Sequence, residues 1–366
     1  MKSWSLRAGK FFGIDIFIHW TFWILIIWIF LMHFQAGHGW MRGAWGALFI
    51  LAVFACVVLH EFGHALVARR FGVPTRNITL YPIGGIASLE AMPEKPAQEL
   101  LVGLAGPAVN LVIAVVLWFY LRLSGQSFDL SAMGGAHDMV EIPFFWNLFL
   151  ANTVLAVFNL IPAFPMDGGR VLRGLLSLFT DRTKATRIAA GLGQFLAIFF
   201  VFLGFFYNFW LVFIGLFIFL GAGGESAYEQ TRAALAGLKV KDALMRSFTL
   251  LKPDDSLGRA VEALLNSQET EFVVADGGEP IGLLTRTEII KGLSERGKEG
   301  SIAEFMNRSF SVVSSETRLQ DFLGQVLEKG QSVALVMDAD ELQGLIDREN
   351  LEERLLIQEA LKRNGQ

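Results

Sequence analysis

The chain has 366 residues, of which 53% are hydrophobic, 18% are charged and one is a cysteine, and its net charge is −4. Because soluble domains carry about 25% charged residues, this composition predicts a chain that lies partly in a membrane, with lipid among its partners. Residues 1–224 carry 14 Lys and Arg against 10 Asp and Glu, whereas residues 225–366 carry 17 against 25. The acidic second part argues against nucleic acid as a partner, and a single cysteine excludes an internal disulfide.

Six apolar windows approach or exceed the roughly 20 residues that a helix needs to cross a bilayer. In chain order these windows are 14–34, 46–67, 100–121, 144–162, 188–206 and 210–222, the last being short. The sequence therefore predicts a polytopic α-helical membrane domain of about six transmembrane helices. Lys and Arg concentrate before the first window and after the second and fourth, and such loops face the cytoplasm. We expect a multi-pass protein of the plasma or inner membrane with both termini in the cytoplasm.

The second window contains the pattern His60-Glu61-Phe62-Gly63-His64 in an otherwise apolar run. On a helix, residues four apart share one face, where two imidazoles can bind one Zn²⁺. Glu61 lies beside them and can act as general base without ligating the metal. Charged groups at mid-membrane cost about 2.5–3.5 kcal/mol each, and ionisable residues at such depth are usually functional. A metal centre therefore explains all three ionisable residues.

A catalytic zinc needs a third protein ligand and one open position. Asp167 is the candidate, because it follows the fourth window, where Pro162, Pro165 and the pair Gly168-Gly169 break the helix. Irregular backbone at membrane depth occurs only where it is buried in protein or lines a cavity. The alternative is that Asp167 caps the next helix, since Asp is a favoured N-cap residue.

Two further side chains near these windows have open roles. Cys56 lies four residues before His60 on the same helical face, but a fourth protein ligand would make the site structural instead of catalytic. His19 lies within the first window, and we treat it as a non-ligand.

Three motifs in residues 1–224 together resemble the site-2 protease family of intramembrane zinc metalloproteases. In order they are His60-Glu-Phe-Gly-His64, Gly103-Leu-Ala-Gly-Pro-Ala-Val-Asn110 and Asn159-Leu-Ile-Pro-Ala-Phe-Pro-Met-Asp-Gly168. The resemblance implies that His60, His64 and Asp167 bind zinc and that Glu61 activates water. It also implies cleavage of a transmembrane segment of another protein near the cytoplasmic face. Met166 departs from the family pattern, in which Leu is more usual.

Two stretches have candidate roles in substrate binding. Asn159 resembles the Asn of the family motif and can hydrogen-bond the substrate backbone or the developing oxyanion, or else it bonds the local backbone. The β-like runs 5–17 and 77–90, the second with Gly84 and Gly85 at its centre, predict a small β element. An exposed strand edge can hold an unwound substrate as an added strand, whereas the alternative is a sheet that only covers the site.

Beyond about residue 224 the chain has the pattern of a cytosolic α/β region with two copies of one repeat. The repeat resembles a pair of cystathionine-β-synthase (CBS) domains. We predict a linker over 225–238, a first domain over 239–298 and a second domain with a C-terminal helix over 299–366. Such pairs often self-associate, which predicts a homodimer through the CBS domains.

The CBS resemblance also implies an adenine-nucleotide site. The family run G-x-x-T-x-x-D corresponds to Gly282, Thr285 and Glu288 in the first copy, so Thr285 and Glu288 are candidate nucleotide-binding residues. The second copy has Asp347 and Asn350 at these two positions and is degenerate. The alternative is a purely structural or dimerising module.

The sequence thus predicts an intramembrane zinc endopeptidase with a transmembrane protein substrate, acting in regulated intramembrane proteolysis and controlled by nucleotide binding to the CBS pair. The first alternative is a CBS-gated ion or proton transporter that uses the buried polar residues as a relay. A relay needs no Glu beside a metal-spaced His pair. The second alternative is an inactive scaffold, against which the intact motif residues count.

Overall fold

The computed structural model describes residues 4–34, 39–89, 93, 95–125, 143–267, 269–322, 333–339 and 341–364. The chain forms two compact units, residues 1–229 and residues 230–366. The first unit contains the apolar helices, and the second contains the repeated α/β elements.

The helices of the first unit are mostly apolar. They are α1 (Trp20–His33), α2 (Gly39–Arg70), α3 (Pro96–Leu123), α4 (Phe144–Asn159), α5 (Asp167–Leu176), α6 (Arg182–Phe206) and α7 (Trp210–Ala234). By length and composition α2, α3, α6 and α7 can each cross a membrane, whereas α1 and α4 are shorter apolar helices. The predicted polytopic helical domain is confirmed, with α5 as a short helix between α4 and α6.

Four strands of the first unit form one sheet in the order β1-β2-β3-β4. They are β1 (Ser5–Phe11), β2 (Ile14–His19), β3 (Thr75–Tyr81) and β4 (Gly84–Leu89). The middle pair, β2 with β3, is parallel, and the outer two pairs are antiparallel. Both predicted β-like runs therefore belong to the same sheet, and β4 forms one of its edges.

The sheet packs against α2 next to the HExxH motif. The shared cluster contains Ile14, Ile16, Phe62, Ala65 and Ile78. Since two of these residues belong to or adjoin the motif on α2, burial of the apolar sheet face fixes the sheet over this part of the helix.

The first helix begins at Trp20, so the predicted start at Ile14 is wrong. Ile14 and Ile16 belong to β2, where they are buried. His19 is the N-cap of α1, and its Nδ1 accepts a hydrogen bond from the backbone N–H of Thr21. A continuous apolar run does not distinguish a buried strand from a helix, which explains the error.

The chain between α4 and α5 is irregular, as the prolines predict. Met166 is the N-cap of α5 and Asp167 is its first residue, so Asp167 does not occupy the capping position considered as an alternative. A Cβ on Gly168 would lie 2.2 Å from the carbonyl oxygen of Ile161. Only glycine therefore allows α5 to begin so close to the end of α4.

Helix α7 continues to Ala234 and so extends into the segment 225–238 that was predicted as a linker. The change in composition near residue 224 marks the point where this helix becomes polar. Helix propensity of the polar residues keeps the segment helical, because Glu, Gln, Arg and Ala are good helix formers.

The second unit contains two copies of one arrangement. Its elements are a 3₁₀ turn (Val240–Asp242), β5 (Leu250–Leu251), α8 (Leu257–Asn266), β6 (Glu271–Asp276), β7 (Glu279–Thr285), α9 (Arg286–Arg296), α10 (Ile302–Phe305), β8 (Ser311–Val313), β9 (Val333–Asp338), β10 (Glu341–Asp347) and α11 (Arg348–Asn364). The sheets have the orders β5-β6-β7 and β10-β9-β8. The predicted α/β pair is confirmed.

In each copy, the segment that precedes the strands pairs with a strand of the other copy. Met245, which precedes the strands of the first copy, pairs with Leu345 in β10, and Asn307, which precedes those of the second, pairs with Leu283 in β7. One core cluster takes residues from both sheets: Val273, Leu283, Val333, Leu335 and Leu345. The sequence boundary near residue 298 therefore does not separate two independent cores.

Candidate metal centre

Two helices bring together the three predicted metal ligands. His60 and His64 lie one turn apart on α2, and Asp167 is the first residue of α5. The two Nε2 atoms are 3.1 Å apart, and Asp167 Oδ2 lies 3.2 Å from Nε2 of His60 and 3.1 Å from Nε2 of His64. All three side chains are buried, and their donor atoms form a group that can hold a metal ion.

The hydrogen bonds of the second ring nitrogens determine which histidine tautomers are present. His64 Nδ1 lies 2.7 Å from the carbonyl oxygen of Val102, which can only accept, so Nδ1 carries the proton. His60 Nδ1 lies 2.5 Å from Oδ1 of Asn110. If Nδ1 donates in both rings, both Nε2 lone pairs are free to bind a metal.

A chain of amides fixes the orientation of Asn110. Asn152 Nδ2 donates to the carbonyl oxygen of Leu148 at 2.8 Å, so Asn152 must turn its oxygen the other way. That oxygen accepts from Asn110 Nδ2 at 2.9 Å. Asn110 therefore presents its own oxygen to His60, and His60 Nδ1 is the donor. The chain connects α4, α3 and α2.

The donor set fits zinc in a catalytic site. Tetrahedral Zn²⁺ with bonds of about 2.0–2.2 Å places its ligands roughly 3.3 Å apart. The donor separations of 3.1–3.2 Å are close to this value. Two imidazoles and one carboxylate leave a fourth position for water or substrate, as in catalytic zinc sites. We therefore expect one Zn²⁺ per chain.

Gly106 makes room for the metal centre. A Cβ at this position of α3 would lie 2.2 Å from Nε2 of His64 and 2.6 Å from Nε2 of His60. Any side chain would therefore overlap the donor atoms. Gly106 belongs to the motif Gly103–Asn110, whose spacing alone does not reveal this role.

A cavity of about 550 Å³ opens next to the three donors. Glu61 lines it together with His60, His64 and Asp167. The first residues of β4 pack closely on this glutamate, since a Cβ on Gly85 would lie 3.0 Å from Glu61 Cγ. Glu61 is thus placed beside the metal donors without belonging to their group.

The candidate substrate residues line the same cavity. Asn159 is the last residue of α4, and Gly84 and Gly85 begin β4. Arg170 also lines the cavity, and its Nη1 lies 3.6 Å from Asp167 Oδ1. Its position three residues after Asp167 is a signal from which the sequence could have predicted this contact, because residues three apart are neighbours on a helix.

Cys56 and His19 have structural partners. Cys56 is buried, and its Sγ lies 3.5 Å from Nδ2 of Asn152, so it touches the amide chain. His19 caps α1. Neither belongs to the group of metal donors. Asn152 lies in the fourth apolar window and has no motif around it, so only its polarity within that window pointed to a role.

The candidate nucleotide residues lie in the second unit. Thr285 and Glu288 form a capping box at the start of α9, in which the Thr285 N–H and hydroxyl both donate to Glu288. The corresponding residues of the second copy, Asp347 and Asn350, bond each other's backbone N–H in the same way at the start of α11. Both copies therefore use this pair of positions to begin a helix.

The sequence matches two family models and several known proteins. The model of peptidase family M50 matches residues 48–204, and the CBS domain model matches residues 240–295. Zinc metalloprotease MJ0392 of Methanocaldococcus jannaschii is 33% identical over 352 residues, which cover 95% of each chain.

Two solved structures are also similar. The site-2 protease from Methanocaldococcus jannaschii is 37% identical with a TM-score of 0.45, over 61% of this chain and 95% of that one. The structure of CBSX2 in complex with AMP is 24% identical with a TM-score of 0.30, over 33% of this chain and 98% of that one.

Identity of this level over nearly the whole length shows the family. It confirms the expected enzyme class, and it identifies the apolar helices as those of a multi-pass membrane protein. The chain belongs to peptidase family M50, the site-2 protease family, and is an intramembrane zinc metalloprotease with a CBS domain.

Proposed function

We propose that this protein hydrolyses a peptide bond in or near the transmembrane segment of a membrane protein substrate, in regulated intramembrane proteolysis. His60, His64 and Asp167 hold one Zn²⁺, and Glu61 is the general base. The observation that carries the proposal is the convergence of the three donor atoms, 3.1–3.2 Å apart, in a cavity that Glu61 also lines. The alternative of a CBS-gated ion or proton transporter gains no support from this arrangement.

Glu61 moves the proton in the proposed mechanism. When bound, Zn²⁺ supplies Lewis acidity that makes water a nucleophile near neutral pH. The Glu61 carboxylate takes one proton from the attacking water and delivers it to the nitrogen of the leaving amine. The water oxygen adds to the substrate carbonyl carbon and the C–N bond then breaks. Because the second proton of the water also passes to the amine, the products are a carboxylate and a protonated amine, and Glu61 returns to its ionised state.

Asn159 is the proposed donor to the oxyanion. It ends α4 at the wall of the cavity, directly before the irregular segment that leads to Asp167. A side-chain amide in this position can donate a hydrogen bond to the developing negative charge on the substrate carbonyl oxygen.

The edge strand β4 is the proposed clamp for the unwound substrate. Its other side pairs with β3, and its first two residues, Gly84 and Gly85, line the cavity. A substrate segment that added itself to this edge would be extended beside the metal donors, which is the conformation that hydrolysis requires.

Glu61→Gln tests the proposed function. The variant keeps the size of the side chain and removes the base, so zinc content should stay at one per chain. Cleavage of a single-span substrate should fall about 100-fold or more, because general bases contribute about 10²- to 10⁴-fold. Membrane proteomics of wild type and variant then identifies the substrate as the single-span protein that accumulates. Unchanged cleavage in Glu61→Gln would contradict the assignment, and His64→Ala is the companion variant that should lose zinc.

We also propose that both termini face the cytoplasm of the plasma or inner membrane. The support is the concentration of Lys and Arg before α1, after α2 and after α4. Reporter fusions at the N-terminus and after Gln366 should both be active in the cytoplasm. A signal from outside the membrane at either end would contradict the proposed orientation.

Adenine nucleotide is the proposed regulator of the CBS pair, with Thr285 and Glu288 at the ribose. Calorimetry of the full chain in detergent with ATP, ADP and AMP should give heat with at least one of them. Thr285→Ala should remove that heat, whereas Asp347→Ala, which breaks the equivalent capping box of the second copy, should keep it. Absence of heat with all three nucleotides would retire the proposal.

Self-association through the CBS pair is the remaining proposal on partners. The molar mass of the purified chain in detergent, measured by light scattering, should correspond to two copies. A monomeric mass across the micromolar range would contradict it.

A further inference from the structure

Five charged side chains from four helices form a network in the first unit that the proposed hydrolysis does not use. Arg173 on α5 donates from Nε to Glu99 on α3 at 2.7 Å and from Nη1 to Glu225 on α7 at 2.5 Å. Arg182 on α6 donates to Glu99 at 2.6 Å and to Glu229 on α7 at 3.3 Å. The network therefore joins α3, α5, α6 and α7 at one point.

The burial of this network indicates that it fixes an arrangement of helices. Glu99 is 0% exposed and Arg173 is 1% exposed. Buried ion pairs are poor sources of net stability, because desolvation offsets most of the attraction, but breaking one leaves an uncompensated charge. A shift of any one of the four helices would separate at least one ion pair, so the network constrains the position of α5.

Arg173 and Asp167 lie on the same helix, α5, which is short and tightly packed at both ends. Arg173 lies six residues after Asp167, about 9 Å along the helix. At the first end, Gly168 abuts Ile161, as described above. At the other end, a Cβ on Gly174 would lie 3.1 Å from the carbonyl oxygen of Pro96. We therefore expect a displacement at Arg173 to be transmitted along α5 to Asp167.

One face of α7 touches the cavity, the loop before Asp167 and the network in turn. Its residues are four apart and share this face: Phe217, Gly221, Glu225 and Glu229. Phe217 lines the cavity, and a Cβ on Gly221 would lie 2.8 Å from Cδ of Pro165. Glu225 forms an ion pair with Arg173, and Glu229 forms one with Arg182. The same helix then continues to Ala234, beyond the start of the CBS unit at Gln230.

We propose that Arg173 is a positioning residue for Asp167, and that α7 couples the CBS unit to the metal centre through Glu225 and Glu229. A rotation or shift of α7 changes the contacts of Arg173, tilts α5 and alters the position of the Asp167 carboxylate. The proposal rests on the proposed zinc site of His60, His64 and Asp167.

Substitution of Glu225 tests the positioning step. Glu225→Gln in the full chain should lower zinc affinity about tenfold, the lower end of the range for outer-shell partners of metal ligands, and should lower kcat more than it raises KM. Glu225→Asp, which keeps the charge, should recover most of the affinity. The matched control is Lys184→Gln, which removes the exposed pair with Asp181 and should leave affinity within about twofold. Equal zinc affinities in Glu225→Gln and the control would overturn the positioning role.

Alanine insertions between Glu229 and Gln230 test the coupling step, because they leave the network intact and change the helical phase of the CBS unit. Two alanines rotate it by about 200°, whereas seven return it to within about 20° of the original phase. Two should reduce zinc affinity and kcat as Glu225→Gln does, and seven should restore both. Loss with both insertions, or with neither, would overturn the coupling.

The failure of this proposal is distinguishable from failure of the zinc site. Suppose that Glu61→Gln abolishes cleavage and keeps zinc, but that the two-alanine and seven-alanine insertions give the same zinc affinity and kcat. The hydrolytic site is then supported and the coupling is contradicted. If zinc is absent from the wild-type chain, both fail together.

Discussion

At the residue scale, the HExxH spacing predicts that two imidazoles face one metal but leaves the free nitrogen of each ring undetermined. The carbonyl of Val102 decides this for His64, and the amides of Asn110 and Asn152 decide it for His60. The two histidines were recognisable as candidate ligands from local pattern, since an i, i+4 pair needs no tertiary information. Their polar partners come from α3 and α4, at positions that no spacing rule connects with the histidines.

Asn152→Leu removes the amide that orients Asn110 and nearly preserves the volume of the side chain. We expect zinc affinity to fall about 10- to 100-fold, the range measured for outer-shell partners, because His60 loses its fixed tautomer. Competition with a chelator measures this change. The neighbouring Thr153→Ala is the control, since its hydroxyl donates to the Phe149 carbonyl oxygen within α4. Equal affinities in the two variants would contradict the role of the amide chain.

At the element scale, the apolar windows predicted the helices of the first unit, and the exceptions have physical causes. The first window merged β2 with α1 because both are apolar, and His19 supplies the cap that separates them. The linker predicted at 225–238 is partly helix α7, because its polar residues are good helix formers. The order of the strands in the sheet, which makes β4 an edge, depends on pairing between residues far apart in sequence.

Ile83→Ala tests the edge strand as a substrate clamp. Ile83 lies in the turn before β4, is 81% exposed and lines the cavity. Burying such a side chain against substrate stabilises the complex by about 1.5–3 kcal/mol. Since about 1.4 kcal/mol is tenfold in affinity, truncation should raise KM roughly tenfold or more without loss of zinc. Leu6→Ala, 63% exposed on β1 at the other edge of the sheet, should leave KM unchanged.

The deletion of Ile83–Ile86 is the stronger change at the same edge. Cleavage should stop while zinc remains bound, because the deletion removes the start of β4 and none of the metal ligands. Intact cleavage after this deletion would refute the clamp.

At the scale of the whole molecule, the repeat predicted two CBS domains in a pair, and the structure exchanges their leading segments. Met245 of the first copy pairs with Leu345 of the second, and one cluster takes side chains from both sheets. The boundary near residue 298 separates two stretches of similar sequence. It does not separate two folding units, because side chains from both stretches are buried in one cluster. The second unit is therefore expected to unfold as one.

Leu335→Ala tests this cooperativity. Leu335 is fully buried in the cluster shared by both copies, so its truncation should cost about 2–5 kcal/mol. Hydrogen exchange should accelerate in β6 of the first copy as well as in β9 of the second. Leu265→Ala, 78% exposed on α8, is the control and should change stability by less than about 0.5 kcal/mol. Faster exchange confined to the second copy would contradict a shared core.

The sequence by itself predicted the apolar helices, the candidate donor set of His60, His64 and Asp167, the candidate base Glu61 and the CBS repeat. Each of these follows from composition, from spacing along one helix or from a local break, which are properties of neighbouring residues. Only the tertiary structure decided that Asn110 and Asn152 orient His60, that β4 lies at an edge beside the cavity, and that Arg173 joins α5 to α7. These features are contacts between residues that lie dozens of positions apart, and periodicity carries no information about which distant side chains meet.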